Sequence, residues 1–182
     1  MATTRRQPAN PTRRRKGGAQ LEGARGQAQW EALYQAHNAI FKLAELALLS
    51  QRLSLPQFHL LSVLNKGGGL LTTGEIGEAM IKASQTITGL VDRLEEPGMV
   101  ERVFDRSDRR KTWVRMTKEG EHKLAEAAPV FNSLVDELFS VLTDQDLRDL
   151  QAKLEKVSSA TMERLTAALA RQQPSARRVF EA

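Results

Sequence analysis

The chain has 182 residues, 27 Lys and Arg against 22 Asp and Glu, 41% hydrophobic residues and no cysteine. That length suits one compact domain, or one domain with an extension, and leaves room for a sizeable core. Lack of cysteine excludes disulfides, iron–sulfur ligation and thiol nucleophiles. His37, His59 and His122 show no H-x3-H or H-E-x-x-H spacing, so neither metal nor cofactor is expected. The longest apolar stretches, such as Ala44 to Leu49 with Glu45 inside it, fall far short of the roughly 18 residues of a membrane span. A soluble, cytoplasmic protein is expected.

The positive charge is unevenly placed. Residues 1–28 carry seven basic residues against Glu22 alone, whereas the remainder has 20 basic and 21 acidic. This segment is rich in Pro, Gly, Gln and Thr and has too little apolar surface to offset the entropy of ordering it, so a disordered basic arm is expected. It lacks the amphipathic alternation of a transit peptide. A solubilising arm and a phosphate-binding arm both fit.

From Trp30, apolar residues recur through Leu33, His37, Ile40, Phe41, Ala44 and Leu48 with helical period, predicting a helix to about Gln51. Ser54 caps a segment with Leu55, Phe58, Leu61 and Leu64 facing inward, which stops at Gly67 to Gly69. Thr72 and Glu75 form a capping box opening a short helix that buries Ile76, Ala79 and Met80. Ser84 is read as the cap of a third short helix, with Ile87, Leu90, Val91 and Leu94 apolar and Pro97-Gly98 ending it. Met99 to Phe104 and Thr112 to Thr117 then alternate like a two-stranded hairpin with a charged tip, Val114 and Met116 sharing one face. Leu124, Phe131, Leu134, Val135 and Leu138 mark a long helix; Thr143 with Asp146 caps another carrying Leu147, Leu150, Leu154, Val157 and Leu165.

Two short helices joined by a turn, the second with a small polar outer face, describe a helix-turn-helix, which places a helix in the DNA major groove. Once the core is assigned, that second helix offers Ser84, Gln85, Thr86, Thr88, Gly89, Asp92 and Arg93. Gln suits adenine, Thr a thymine methyl or a hydrogen bond, Arg guanine or phosphate, and Gly a close approach. Taken alone, such a face reads better as that of an ordinary solvated helix. The following hairpin decides between them: seven basic residues against two acidic lie between Arg102 and Lys118. A cationic hairpin beside a recognition helix is a wing, able to insert an arginine into the narrow minor groove.

In the run SQTITGLVDRLEEPGMVER (Ser84 to Arg102) and in DRSDRRKTWVRMTKEG (Asp105 to Gly120), the chain resembles the MarR family of winged helix-turn-helix regulators. The resemblance covers about residues 30 to 170. It implies a mainly α fold, three short helices plus a hairpin wing flanked by long dimerisation helices. It makes Arg110 the wing-tip arginine for the minor groove, Asp92 the recognition-helix acid that pairs with it, and Asp108 the acid that buttresses the tip, with Arg109 beside it. With these go Arg106 and Lys111 as wing contacts and Asp105 as wing support. Met116 stands in place of the usual Leu, Lys111 and Trp113 take positions commonly small or polar, and Pro97 shortens the recognition helix. Trp113 is open to a backbone contact, a ligand contact or neither.

The apolar stripes of the first and last helices exceed what a winged domain of about 65 residues can cover, which points to an intermolecular use. The resemblance implies the same, a homodimer presenting two recognition helices to a pseudo-palindromic operator. It also implies a crevice for a small anionic aromatic effector, with Trp30, Tyr34, His37, Phe41, Phe58 and His59 as candidate lining. Peroxide-sensing members use a cysteine this chain lacks. Expected segments are a basic arm (1–28), dimerisation helices (29–52 and 118–171), a winged DNA-binding domain (53–117) and a frayed tail (172–182). The expected function is a ligand-responsive, sequence-specific, nucleoid-associated repressor acting on double-stranded DNA. The alternative is an architectural, weakly specific DNA-binding protein using the same wing and arm. No nucleophile–base set or phosphate loop suggests an enzyme.

Overall fold

A computed structural model describes residues 25–104 and 111–172. The expected disordered arm up to residue 24, the hairpin tip and the tail beyond Gln172 lie outside the described residues. Two compact units divide the chain, residues 1–39 and 40–182. In the first, the described residues lead into α1 (Gln27–Leu48). Gln27 bonds to Glu31 one turn on at 2.8 Å, and Trp30 stacks on Tyr34 with ring centroids 6.4 Å apart.

In the second unit α1 ends in a 3-10 turn (Leu49–Gln51). After it come α2 (Leu55–Lys66), β1 (Leu70–Thr72), α3 (Thr73–Met80), α4 (Ser84–Glu95), β2 (Val100–Phe104), β3 (Thr112–Met116), α5 (Lys118–Phe139) and α6 (Asp144–Gln172). The helix starts are written in local hydrogen bonds. Reciprocal capping boxes join Ser54 to Gln57 and Thr72 to Glu75, satisfying amides with no partner inside the helix. Thr143 and Asp146 do the same for α6. At α4 the expectation fails: Ala83 is the cap, no side chain bonds the first turn, and Ser84 is already helical.

Three strands form the sheet where a two-stranded hairpin was expected, in the order β1-β3-β2 and antiparallel throughout. β1 is too short to show alternation in sequence. Gly68 and Gly69, at φ +79° and +84°, turn the chain so that Leu70 to Thr72 pair with Arg115 to Trp113, and the Met116 amide donates to the Gly69 carbonyl at 2.8 Å. The core draws Leu55, Phe58, Leu60, Leu61 and Leu64 from α2, Ile76 from α3, Ile87, Leu90, Val91 and Leu94 from α4, and Val100, Val114 and Met116 from the sheet. On α3, Gly77 is buried and Ala79 is exposed, the reverse of the periodic reading. A Cβ at Gly77 would stand 3.2 Å from the Lys82 carbonyl, so a glycine lets the turn before α4 fold back over the end of α3.

The start of α5 closes the unit. Thr117 accepts the Gly120 amide at 3.1 Å and donates its hydroxyl to the Gly98 carbonyl at 2.6 Å. Gly120 is buried, and a Cβ there would lie 2.2 Å from the Met99 carbonyl oxygen. Gly120→Ala therefore forces apart two backbones, and should cost about 1–3 kcal/mol, read as a lowered Tm in thermal unfolding. A second test concerns acid. Bonds from the Thr72 amide and hydroxyl hold the Glu75 carboxyl below its ordinary value, and bonds from the Thr143 hydroxyl and amide do so for Asp146. A carboxylate depressed in the folded state stabilises fully above its unfolded pKa, and that contribution disappears as pH falls through the folded value. Glu75→Gln with Asp146→Asn should accordingly flatten the acid limb of the Tm against pH profile and leave its neutral shape unchanged.

Candidate nucleic-acid interface

The helix-turn-helix is assembled from α3, a three-residue turn and α4. Ile81 ends α3 in the left-handed region at φ 52°, and its amide donates to the Glu78 and Gly77 carbonyls. A β-branched residue disfavours that conformation, so the turn is held by its hydrogen bonds and by the packing around Gly77. The buried stripe of Ile87, Leu90, Val91 and Leu94 fixes α4 by one face. The opposite face is thereby turned to solvent: Ser84, Gln85, Thr86, Thr88, Asp92 and Arg93 are exposed and Gly89 is half-buried.

Three of these side chains, Thr88, Asp92 and Arg93, are already engaged. Thr88 donates its hydroxyl to the Ser84 carbonyl at 3.1 Å, leaving its oxygen and methyl outward. Arg93 donates through Nε to the Gly89 carbonyl at 2.9 Å, with Nη2 at an ordinary contact distance of 3.8 Å from where a Gly89 Cβ would stand.

The expected wing residues Asp105, Arg106, Asp108, Arg109 and Arg110 lie outside the described residues. Lys111 is described and exposed, and its charge helps to depress the Glu75 carboxyl of α3. Asp92 stands where expected on α4, and its partner among the described residues is Arg102 of β2, with Nη2 2.5 Å from Oδ1. The same guanidinium reaches Glu95 through Nη1, while the Arg102 amide donates to the other Glu95 oxygen at 3.0 Å. Arg115 pairs with Glu101 at 2.9 Å in the open. Of the seven basic residues counted in the wing region, these two arginines are therefore tied to carboxylates. Arg102 and Glu95 were not legible as a site: one read as part of a basic run, the other as a helix end.

Of the expected crevice residues, Phe58 and His59 are neighbours on α2. Phe58 packs on Phe131 of α5 with centroids 4.7 Å apart, and exposed His59 stands edge-on to the same ring at 6.2 Å. Partial burial, with Lys66 and Lys82 nearby, holds the His59 imidazole below its usual pKa. A cleft of about 420 Å³ between α2 and α5 is lined by Phe58, Ser62, Asn65, Lys66, Phe131 and Asn132, among others. A second, of about 710 Å³, lies between the α3–α4 turn and α6, with Ile81, Lys82, Met162, Leu165 and Leu169 on its walls. Of the six expected residues, Phe58 alone contributes to these two clefts. Among the described residues no cluster of metal-ligating side chains occurs, and no helix is long and apolar enough to cross a membrane.

These features have close parallels among known proteins. Residues 53–111 match the model of the MarR family. An uncharacterized HTH-type transcriptional regulator of Bacillus subtilis, YsmB, is 32% identical over 120 residues, covering 65% of this chain and 82% of its own. Among solved structures, AbsC of Streptomyces coelicolor, a MarR family transcriptional regulator, superposes with a TM-score of 0.71 at 20% identity, over 75% of this chain and 94% of its own. Bordetella bronchiseptica BpsR, described with the regulation of its DNA binding by 6-hydroxynicotinic acid, does so at 0.67 and 21%, over 72% and 99%. With the winged helix-turn-helix in place and relatives of this kind along most of its folded length, the chain belongs to the MarR family of transcriptional regulators and is not an enzyme.

Proposed function

We propose that the protein is a homodimeric, sequence-specific repressor that binds a pseudo-palindromic operator and is modulated by a small anionic aromatic compound. The single observation that carries DNA reading is the outward face of α4, on which Gln85, Thr86 and Thr88 stand exposed beside the hairpin that leads to the basic tip. These side chains have the donor and acceptor patterns of major-groove recognition, and Arg106, Arg109, Arg110 and Lys111 supply the wing. Residues 53–117 act as the DNA-binding domain, with 29–52 and 118–171 as the dimerisation helices.

Support for the dimer comes from apolar surface. On α1, Trp30 is 64% exposed, and Leu33, Tyr34, Leu43 and Leu46 are also open; α6 exposes Leu154, Val157 and Leu169. Faces of this kind mark protein contacts, and a two-fold axis through them presents two copies of α4 about one turn of DNA apart, on the order of 34–36 Å. The α2–α5 cleft combines Phe58 and Phe131 with Lys66 and Asn65, a surrounding suited to an aromatic acid. BpsR, whose DNA binding responds to 6-hydroxynicotinic acid, gives a precedent in the same fold. Such a ligand acts by binding better to the arrangement that does not fit DNA.

The protein should shift duplex DNA from beside its own gene at moderate salt, and far more weakly shift random duplex. Equal affinity for both would mark an architectural binder instead. Arg110→Ala should cost about 1–3 kcal/mol of operator binding, and unchanged affinity would refute the wing assignment. In sedimentation, wild type should run as a dimer at micromolar concentration and Leu46→Glu as a monomer; a monomeric wild type removes the two-fold model.

A further inference from the structure

Arg102 belongs by composition to the basic wing, yet its surroundings withdraw it from any phosphate. Its side chain is only 18% exposed. Its guanidinium is forked between Asp92 and Glu95, three residues apart and so on one side of α4, and Nη2 also reaches the Thr88 carbonyl at 3.4 Å. The Arg102 main chain is held as well, through its amide and the second Glu95 oxygen. A planar fork that satisfies two carboxylates at once is a geometry only arginine supplies.

We infer that Arg102 is a positioning residue for operator recognition: clamped between Asp92 and Glu95, it sets the base of the wing against the recognition helix. The inference deepens the DNA-binding reading and rests on it. Thr88 and Arg93 lie on the same outward face that the clamp adjoins. From there the chain runs through Val103 and Phe104 directly into the tip. A hairpin whose base is loose on α4 no longer presents the following basic residues in one fixed orientation to the duplex that α4 reads.

The clamp predicts an effect of opposite sign to simple electrostatics. Removing an acid from a DNA-facing helix should tighten binding by reducing repulsion; loss of the clamp should weaken it. The test uses full-length protein and the duplex that wild type enriches from a random pool. Glu95→Gln should bind that duplex about tenfold more weakly, with an unchanged slope of log affinity against log salt, because Arg102 neutralises no phosphate. Binding to random duplex should not weaken. Arg102→Lys should behave like Glu95→Gln, since an ammonium cannot fork. In an Arg110→Ala background Glu95→Gln should change affinity less than about twofold, because the clamp acts through the wing. In the free protein, Glu95→Gln should speed hydrogen exchange at the Arg102 amide and along β2 while α2 keeps its protection, which separates a loosened hairpin from a damaged fold.

Equal or tighter operator binding by Glu95→Gln, additivity with Arg110→Ala, or unchanged exchange along β2 would overturn the inference. If wild type enriches no duplex, the DNA-binding reading itself fails. The clamp is then judged by exchange alone: faster exchange upholds it as the device that seats the hairpin, and unchanged exchange removes it.

Discussion

One turn of backbone, Gly98 to Met99, joins α4, the base of the hairpin and the start of α5. The Met99 amide bonds back to Leu94 at the end of α4, its carbonyl accepts from Thr117, and the neighbouring Gly98 carbonyl accepts the Thr117 hydroxyl. Gly98 sits at φ +76°, a conformation that glycine adopts without a steric penalty. The recognition helix, the base of the hairpin and the first turn of α5 are thus tied within two residues. Gly120 follows from the same constraint, because α5 passes so near Met99 that no side chain fits between them. Beyond this junction the Arg102 fork adds a second point of attachment between hairpin and helix. Two attachments define an angle, where one would leave a hinge.

How much of this was legible in the residues follows from how local each interaction is. The cap at Ser54 and the paired caps Thr72 with Glu75 and Thr143 with Asp146 read directly, since their partners lie three residues away. The buried stripe of α4 read equally well, its period being that of the helix itself. Sequence pattern misled where the decisive contact is distant. Ser84 has the chemistry of a cap, but the chain enters the helix one residue earlier, at Ala83. Ala79 falls on the apolar period of α3, yet that helix is so short, and so closed by the turn after it, that Gly77 takes the buried place. β1 shows no alternation because it has three residues, and it exists through pairing with a strand more than forty positions away. The carboxylate partners of Arg102 lie only seven and ten residues back, but they meet it across the turn from helix to strand, a juxtaposition that neither a helical nor a strand period describes.

Charge placement also reads differently once geometry is known. A basic run looks like a phosphate-binding surface when its members are counted together. Arg102 and Arg115 instead serve carboxylates of the protein, one in a half-buried fork and one in an exposed pair of small energetic weight. The folded part is therefore closer to electrically balanced around the sheet than its composition suggests. The arginines of the sequence are concentrated instead in residues 1–28 and the hairpin tip.

The open apolar faces of α1 and α6 have a consequence in mass action. Val141 between α5 and α6 is 83% exposed, and the long last helix buries little of its own surface against the rest of its chain. Helices that rely on a second copy for their burial are stabilised in proportion to the logarithm of protein concentration. In the proposed dimer, folding of the outer helices, pairing of the chains and occupancy of a two-fold DNA site would share one linked equilibrium. A regulator of this design responds to its own abundance more steeply than a monomer with the same contacts, because each doubling of the chain acts on the pair and on the site that the pair reads.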